Sequence, residues 1–342
     1  MKLLVTGTDG YIGVLLADVL AKRGHHVTGL DTGFYRDGLL YDGVQPPAQH
    51  IQKDIRDVSH NDLRGYDAVV HLAELSNDPL GQHNPELTFQ INHLGSVELA
   101  TKCKAVGITR FVYTSSCSVY GVASSESVTE TSPTSPQTAY ATCKVLVERD
   151  VSTLADDTFS PTFLRNATAF GASPRMRFDI VLNNLAGLAW TTKEIKMISD
   201  GTPWRPLVHV LDICDAVACA LDAPREVVHN QVFNVGNNGQ NYRVREIAEI
   251  VADVFPGCQI SFGANTADNR SYRVNFDKIN SQLPGFRCRR DAPAGARELR
   301  NLFEKIQMTR ETFEFRAFTR LKQLEHLLST AQIDGNFYWK TS

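Results

Sequence analysis

The sequence has no apolar run that approaches the ~20 residues of a bilayer-spanning helix, so no membrane partner is expected. It has no Cys-x-x-Cys. Its seven cysteines (103, 117, 143, 214, 219, 258, 288) are odd in number and scattered, which suits reduced thiols better than disulfides or zinc. Ten histidines show no His-x-x-x-His spacing, and no metal is expected. A net charge of −3 leaves no basic footprint for nucleic acid. There is no internal repeat and no low-complexity linker. Met1-Lys2-Leu3-Leu4-Val5 is too short for a secretory signal and runs straight into a glycine-rich turn, so a cytoplasmic location is expected. What remains is a 342-residue chain with an ordinary 42% apolar share, enough for two domains or one large one.

That glycine-rich turn organises the rest. Leu3, Leu4 and Val5 read as a buried strand. Gly7, Gly10 and Gly13 follow at three-residue spacing, and Ile12, Val14, Leu15, Leu16, Val19 and Leu20 then repeat with a helix period. Strand, turn and helix make a dinucleotide-binding βα unit. The first glycine allows the turn, the second admits a pyrophosphate, and the third lets helix pack on sheet. A second strand, His26 to Leu30, ends in Asp31, 24 residues after Gly7. A carboxylate there accepts hydrogen bonds from ribose hydroxyls and repels a 2′-phosphate, so NAD is favoured over NADP. Arg36 nearby would soften that preference. The bland alternative for Asp31 is a turn acid.

Strands and helices go on alternating, which predicts a parallel sheet. His50 to Ile55 reads as a third strand. Asp54 at its end would reach the adenine amino group or cap a helix, and Ile55 would pack on the ring. Ala68 to Ala73 is a fourth strand, apolar throughout as a buried parallel strand should be. It leads into Glu74-Leu75-Ser76-Asn77-Asp78-Pro79 at the sheet edge where open α/β sheets bind ligands. A helix over about 88–107 carries Asn92. Phe111 to Thr114 is a fifth strand and runs into Ser115-Ser116-Cys117-Ser118-Val119-Tyr120-Gly121.

Of ten tyrosines, only Tyr140 has a lysine, Lys144, four residues on. On a helix the two share a face. A phenol titrates near 10 and is a poor base at pH 7; an adjacent ammonium favours the phenolate. Such a tyrosine can take a proton from a sugar hydroxyl as hydride leaves the same carbon, with Ser116 hydrogen-bonding that oxygen. Alone, the pair reads equally as a surface Tyr/Lys contact.

Taken together, Thr-Gly-x-x-Gly-x-x-Gly, an acid after strand two, Ser-Ser-x-x-Val-Tyr-Gly and Tyr-x-x-x-Lys occur in order. The chain thereby resembles the extended short-chain dehydrogenase/reductase family, specifically its NAD-dependent nucleotide-sugar epimerases and dehydratases, over roughly residues 1–285. The resemblance implies an α/β Rossmann-type doubly wound parallel sheet with a smaller C-terminal α/β substrate lobe. It implies a cofactor domain of 1–165 plus about 205–236, a substrate lobe of about 166–204 plus 237–290, and a helical extension of 291–342. Ser116, Tyr140 and Lys144 match the family's catalytic residues. Gly7, Gly10, Tyr11, Ile12, Gly13, Asp31, Asp54, Ile55, Leu72, Ala73, Asn92, Tyr140 and Lys144 are expected to bind NAD, with Asn92 helping to place the lysine. Ser76, Asp78, Ser118, Asn166, Asn184, Leu185, Arg205 and Arg270 are expected at the nucleotide-diphosphate sugar. Here Asn166 and the two arginines meet the diphosphate, since a guanidinium fork matches phosphate oxygens. The resemblance also implies a homodimer joined through the helices around 88–107 and 139–155.

Residues beside Ser116 discriminate within the family. Its 4,6-dehydratases place Asp-Glu after the catalytic threonine, and its decarboxylases place Glu where Ser118 stands. Its 3,5-epimerases place a cysteine there too. This chain has Cys117 and Ser118, and Cys117 falls on the opposite face of the strand, where it reads as packing. What is left needs only Tyr, Lys, Ser and NAD: 4-epimerisation, ahead of a 4-keto-sugar reductase or a silent NAD-binding scaffold. Two features depart from the pattern. Glu74 and Asp78 put carboxylates near the sugar, to bind hydroxyls or carry a second proton. The 59 residues after Leu283 (342 − 283) are predicted to form a helix over 298–306 and a longer one with the stripe Phe313, Leu321, Leu324, Leu327 and Leu328. Such a stripe packs on its own core or a partner, or serves as a lid.

Overall fold

The structure is a computed structural model and describes residues 1–76, 84–123, 127–265 and 270–340. Its strands, in chain order, are β1 (Lys2–Thr6), β2 (His26–Asp31), β3 (Gln49–Gln52), β4 (Ala68–His71), β5 (Arg110–Ser116), β6 (Ser160–Asn166), β7 (Thr168–Phe170), β8 (Glu194–Ser199), β9 (Trp204–His209), β10 (Gln231–Val235), β11 (Asn241–Arg243) and β12 (Gln259–Asn265). Its principal helices are α1 (Gly13–Lys22), α2 (Ser96–Ala105), α3 (Ala139–Ser152), α4 (Val181–Thr191), α5 (Val210–Asp222), α6 (Val244–Val254), α7 (Ala292–Lys305) and α8 (Arg320–Ser329).

Seven strands form one sheet in the order β3-β2-β1-β4-β5-β6-β10, and every pairing is parallel. This is the doubly wound arrangement, and strand order reverses between β1 and β4. Leu3, Leu4, Val5, Val69 and Val70 are fully buried, because helices cover both faces of a parallel sheet. The smaller lobe holds a three-stranded sheet, β11-β9-β7, and the parallel pair β12-β8.

Three elements are shorter or more broken than the pattern predicts. β3 stops at Gln52 because Asp54 caps a turn of 3-10 helix, Ile55–Asp57, through the Arg56 amide. β4 stops at His71: the Leu72 amide still donates to the Thr6 carbonyl at 3.2 Å, but the Ala73 amide turns to the Thr6 hydroxyl, also at 3.2 Å, and leaves the strand ladder. The helix predicted over 88–107 is a turn, Pro85–Thr88, then a wide π-type segment, Phe89–Gly95, then α2.

The C-terminal stretch is also more broken than one long helix. Asp291 caps α7; a short helix, Arg310–Glu314, and a 3-10 turn, Arg316–Phe318, precede α8. Leu324, Leu327, Ile333 and Phe337 then bury themselves beside Leu4, Leu30 and Phe34. The stripe seen in the sequence therefore packs on this chain's own core. The stretch is also tied to the sheet connections: Glu298 accepts from His209 at 2.8 Å, and Asp212 accepts from Arg290 at 2.6 Å.

Candidate active site

A cleft of about 960 Å³ opens at the C-terminal ends of the strands, across the point where their order reverses. Gly7, Gly10, Tyr11, Ile12 and Gly13 form its floor. Gly7 has φ +83°, and a Cβ on Gly13 would lie 2.0 Å from the Gly7 carbonyl oxygen, so neither position tolerates a side chain. The turn thereby brings backbone amides of the first turn of α1 to the cleft, a standing site for phosphate. Asp31 lies on the wall, its carboxylate accepting from Gly33 N at 2.8 Å and Asp9 N at 3.0 Å. Burial, then the neighbouring Asp9, raise its pKa against those two amides. Arg36 does not reach into this wall: it donates to Asp9 at 2.7 Å and Gln52 at 2.8 Å. With the Asp31 carboxylate on its wall and a glycine floor that a Cβ would fill, the cleft fits a dinucleotide without a 2′-phosphate.

The reaction end lies where β5 meets α3. Ser116 ends β5, and its hydroxyl accepts from Ser118 N at 3.1 Å. Thr138 caps α3, which sets Tyr140 in the first turn, where the helix dipole favours an anion. Lys144 follows one turn on, its Nζ 5.4 Å from the Tyr140 ring centroid. Ser116, Tyr140 and Lys144 all line the cleft. Lys144 is 3% exposed and donates to the Thr114 carbonyl at 2.5 Å.

Glu74 is the residue whose part the sequence did not reveal. It lines the cleft but does not offer itself to a sugar: one carboxylate oxygen pairs with Lys144 Nζ at 2.5 Å, the other accepts from Tyr113 OH at 2.5 Å. Its side chain is 2% exposed. Burial works to lower the Lys144 pKa, but Glu74 and Tyr140 outweigh it and hold the ammonium above its ordinary value. Burial pushes Glu74 upward, opposed by Lys144 and Tyr113. The lysine that favours a phenolate is thus itself partly neutralised. Beneath it, His71 is bonded to Thr6 at 2.7 Å and Ser96 at 2.8 Å, and burial followed by Lys144 lowers its pKa to about 3, so it is neutral. Ser115, Glu148 and Arg165 form a second buried network behind Ser116, at 2.5 to 3.1 Å.

Of the other residues singled out from sequence, Asp54, Ile55, Leu72, Ala73, Ser76, Ser118, Asn166, Asn184, Arg205 and Arg270 line the cleft. The Asp54 carboxylate does so while paired with Arg56 at 2.8 Å. Ser118 Oγ and Asn166 Oδ1 are buried without a partner among the described residues. Two of the expected residues, Asn92 and Leu185, do not line the cleft. Asn92 is fully buried off the cleft, and its amide is spent on the Leu75 backbone, at 2.8 and 3.0 Å. It holds the turn after β4, beside the Glu74 that pairs with Lys144. Leu185 turns its side chain into the core face of α4, beside Asn184, which lines the cleft, so the part the resemblance implies for it at the nucleobase falls to its backbone. Asp78 lies outside the described residues. Cys117 is 1% exposed with its thiol on the Arg165 carbonyl, and burial raises its pKa.

Comparison with known proteins gives a consistent family. A sequence model of the NAD-dependent epimerase/dehydratase family matches residues 3–236. A UDP-glucose 4-epimerase of Corynebacterium glutamicum is 29% identical over 269 residues, covering 74% of this chain and 80% of the relative. UDP-glucuronic acid decarboxylase 1 of Arabidopsis thaliana is 28% identical over 318 residues, covering 88% and 70%. Among solved structures, a dTDP-glucose 4,6-dehydratase of Streptomyces venezuelae with NAD bound superposes with a TM-score of 0.77 at 25% identity, covering 89% of this chain and 97% of that one.

Proposed function

The chain belongs to the NAD-dependent epimerase/dehydratase family, so NAD is its cofactor, and from that premise we propose that it inverts C4 of a nucleotide-diphosphate sugar. The observation that carries this reading is the state of the groups around Tyr140. Glu74, the carboxylate beside Lys144, has both oxygens engaged, and Cys117 is turned into the core. Tyr140, supported by Lys144 and Ser116, is left to move a proton. Elimination of water or loss of a carboxyl group calls for a further acid or base, which favours epimerisation over the reactions of other family members.

NAD, when bound, takes up and gives back a hydride. The residues of this chain do the rest. Tyr140 removes the proton from the C4 hydroxyl and later returns it. Lys144, held charged by Glu74, favours the Tyr140 phenolate. The Ser116 hydroxyl hydrogen-bonds the same sugar oxygen. Asp31 binds the adenosine ribose. Arg205 and Arg270 neutralise the diphosphate of the substrate, while Ser118 Oγ and Asn166 Oδ1 acquire in the complex the partners they lack. Because the cofactor ends each cycle as it began, it stays bound.

The exposed Leu94, in the Phe89–Gly95 segment that packs on α3, supports self-association through this face. Among the described residues no helix is long and apolar enough to cross a membrane. The experiment for the activity is a panel of nucleotide-diphosphate sugars, incubated without added cofactor and followed by proton NMR. Inversion at C4 is expected. No inversion, with reduction of a 4-keto sugar nucleotide once NADPH is added, would favour the reductase reading instead.

A further inference from the structure

The geometry points to Arg320, on the C-terminal segment, as a ligand of the NAD diphosphate, closing the dinucleotide site from the side opposite the glycine turn together with Arg177. It rests on NAD as cofactor and not on which reaction follows.

Arg320 starts α8, 84 residues beyond the end of the family match (320 − 236). It is 3% exposed, yet it lines the cleft. Its guanidinium lies 3.9 Å from the Tyr35 ring centroid, four residues past Asp31, and makes no hydrogen bond or ion pair among the described residues. Arg177 lies beside it, donating to Asp179 at 2.8 Å and to Ser76 Oγ at 3.3 Å. Asp179 also accepts the Arg320 backbone amide at 3.2 Å, so one carboxylate faces two buried guanidinium groups. Burial, then the like charge of Arg177, draw Arg320 down to about 10, still protonated at neutral pH.

Two guanidinium groups sharing one carboxylate leave a buried positive charge in excess, and a fold keeps such an excess where a ligand brings the missing anion. The cluster sits close enough to Asp31 and to Tyr11 in the glycine turn to influence both electrostatically. That is the cofactor end of the cleft. A planar fork fixed over an aromatic ring is preorganised for phosphate oxygens. The segment that delivers it is anchored to the loop after β2: Trp339 Nε1 donates to the Thr32 carbonyl at 2.7 Å, and Gln323 to the Phe34 carbonyl at 2.9 Å.

The test is calorimetric titration of cofactor-stripped full-length protein with NAD, ADP-ribose, adenosine and UDP, for the wild type, Arg320→Gln and Arg320→Lys. Arg320→Gln is expected to weaken NAD and ADP-ribose roughly 10- to 100-fold, with adenosine and UDP unchanged, and Arg320→Lys to recover part of the loss. Unchanged NAD affinity in Arg320→Gln overturns the proposal, as does a loss confined to UDP, which would assign Arg320 to the substrate diphosphate. Equal loss for adenosine overturns it too, since that reports damaged packing. If Arg320→Gln does not fold, Arg320→Lys against wild type decides: a partial loss of NAD and ADP-ribose affinity with adenosine and UDP unchanged supports a cation on the diphosphate, and unchanged NAD affinity or an equal loss for adenosine contradicts it. A wild type that binds neither NAD nor ADP-ribose would sink the cofactor reading itself.

Discussion

Lys144 and Arg320 are both buried cations on the wall of one cleft, and they are finished in opposite ways. Lys144 is fully partnered: a carboxylate at 2.5 Å, a carbonyl at 2.5 Å and a tyrosine ring at 4.6 Å. Arg320 has a ring beneath it, and among the described residues no carboxylate forms an ion pair with its head. The same contrast separates Glu148, locked between Ser115 and Arg165, from Ser118 and Asn166, which carry buried oxygens without partners among the described residues. Groups that must hold a geometry or a charge through turnover are satisfied by the protein. Groups that await a ligand are left incomplete. Substitution should therefore cost stability at the first kind and ligand affinity at the second.

The largest expected effect falls on the rate alone. Tyr140→Phe should lower turnover roughly 10³-fold while leaving the NAD content of the purified protein unchanged, read by NMR turnover and cofactor extraction. Loss of NAD in step with rate would make Tyr140 a binding residue and blur the comparison.

Next is stability at the satisfied end. Lys144→Met strands Glu74 as a lone buried charge and should cost about 3–5 kcal/mol in urea unfolding. Lys144→Met with Glu74→Gln should regain most of that stability and none of the activity. Equal destabilisation in the single and double variants would deny the pairing.

A pH dependence follows from His71. Its pKa is about 3 in the fold and about 6.5 in an unfolded chain. Between those values the unfolded state binds a proton that the native state refuses, so stability is complete above about 6.5 and falls as pH drops. At pH 5 the loss should be about 2 kcal/mol, and His71→Gln should flatten that slope in denaturation curves at pH 7 and 5. The smallest effect sits at the unfinished end: Ser118→Ala should leave the ligand-free protein as stable or up to about 1 kcal/mol more so, with a raised KM for sugar nucleotide.

The parts legible in the sequence are those whose demands are local. Gly7 is required by its positive φ and Gly13 by contacts within one turn, Asp31 ends the next strand, and Tyr140 and Lys144 lie on one helical face. The strand order follows from alternation with helices. What stayed hidden depends on distant chain. Glu74 meets a lysine 70 residues away (144 − 74), and nothing beside Glu74 says that it turns inward. Arg320 returns to the loop after β2 by way of a tail whose apolar stripe shows that it packs but not where. Asn92 meets the backbone of Leu75, 17 residues earlier, through the π-type segment, a contact that its own neighbours do not announce. Leu185 shows how narrow the margin is on a helix: Asn184 reaches the cleft and its neighbour does not.

The central claim is that Tyr140 and Lys144 serve a hydride that leaves C4 and comes back to the same carbon. The most direct measurement follows deuterium in a nucleotide-diphosphate sugar labelled at C4, turned over without added cofactor. The account predicts inversion with the label still on C4 in both epimers. Deuterium lost to solvent or to free cofactor, or a product short of water or carbon dioxide, would contradict it.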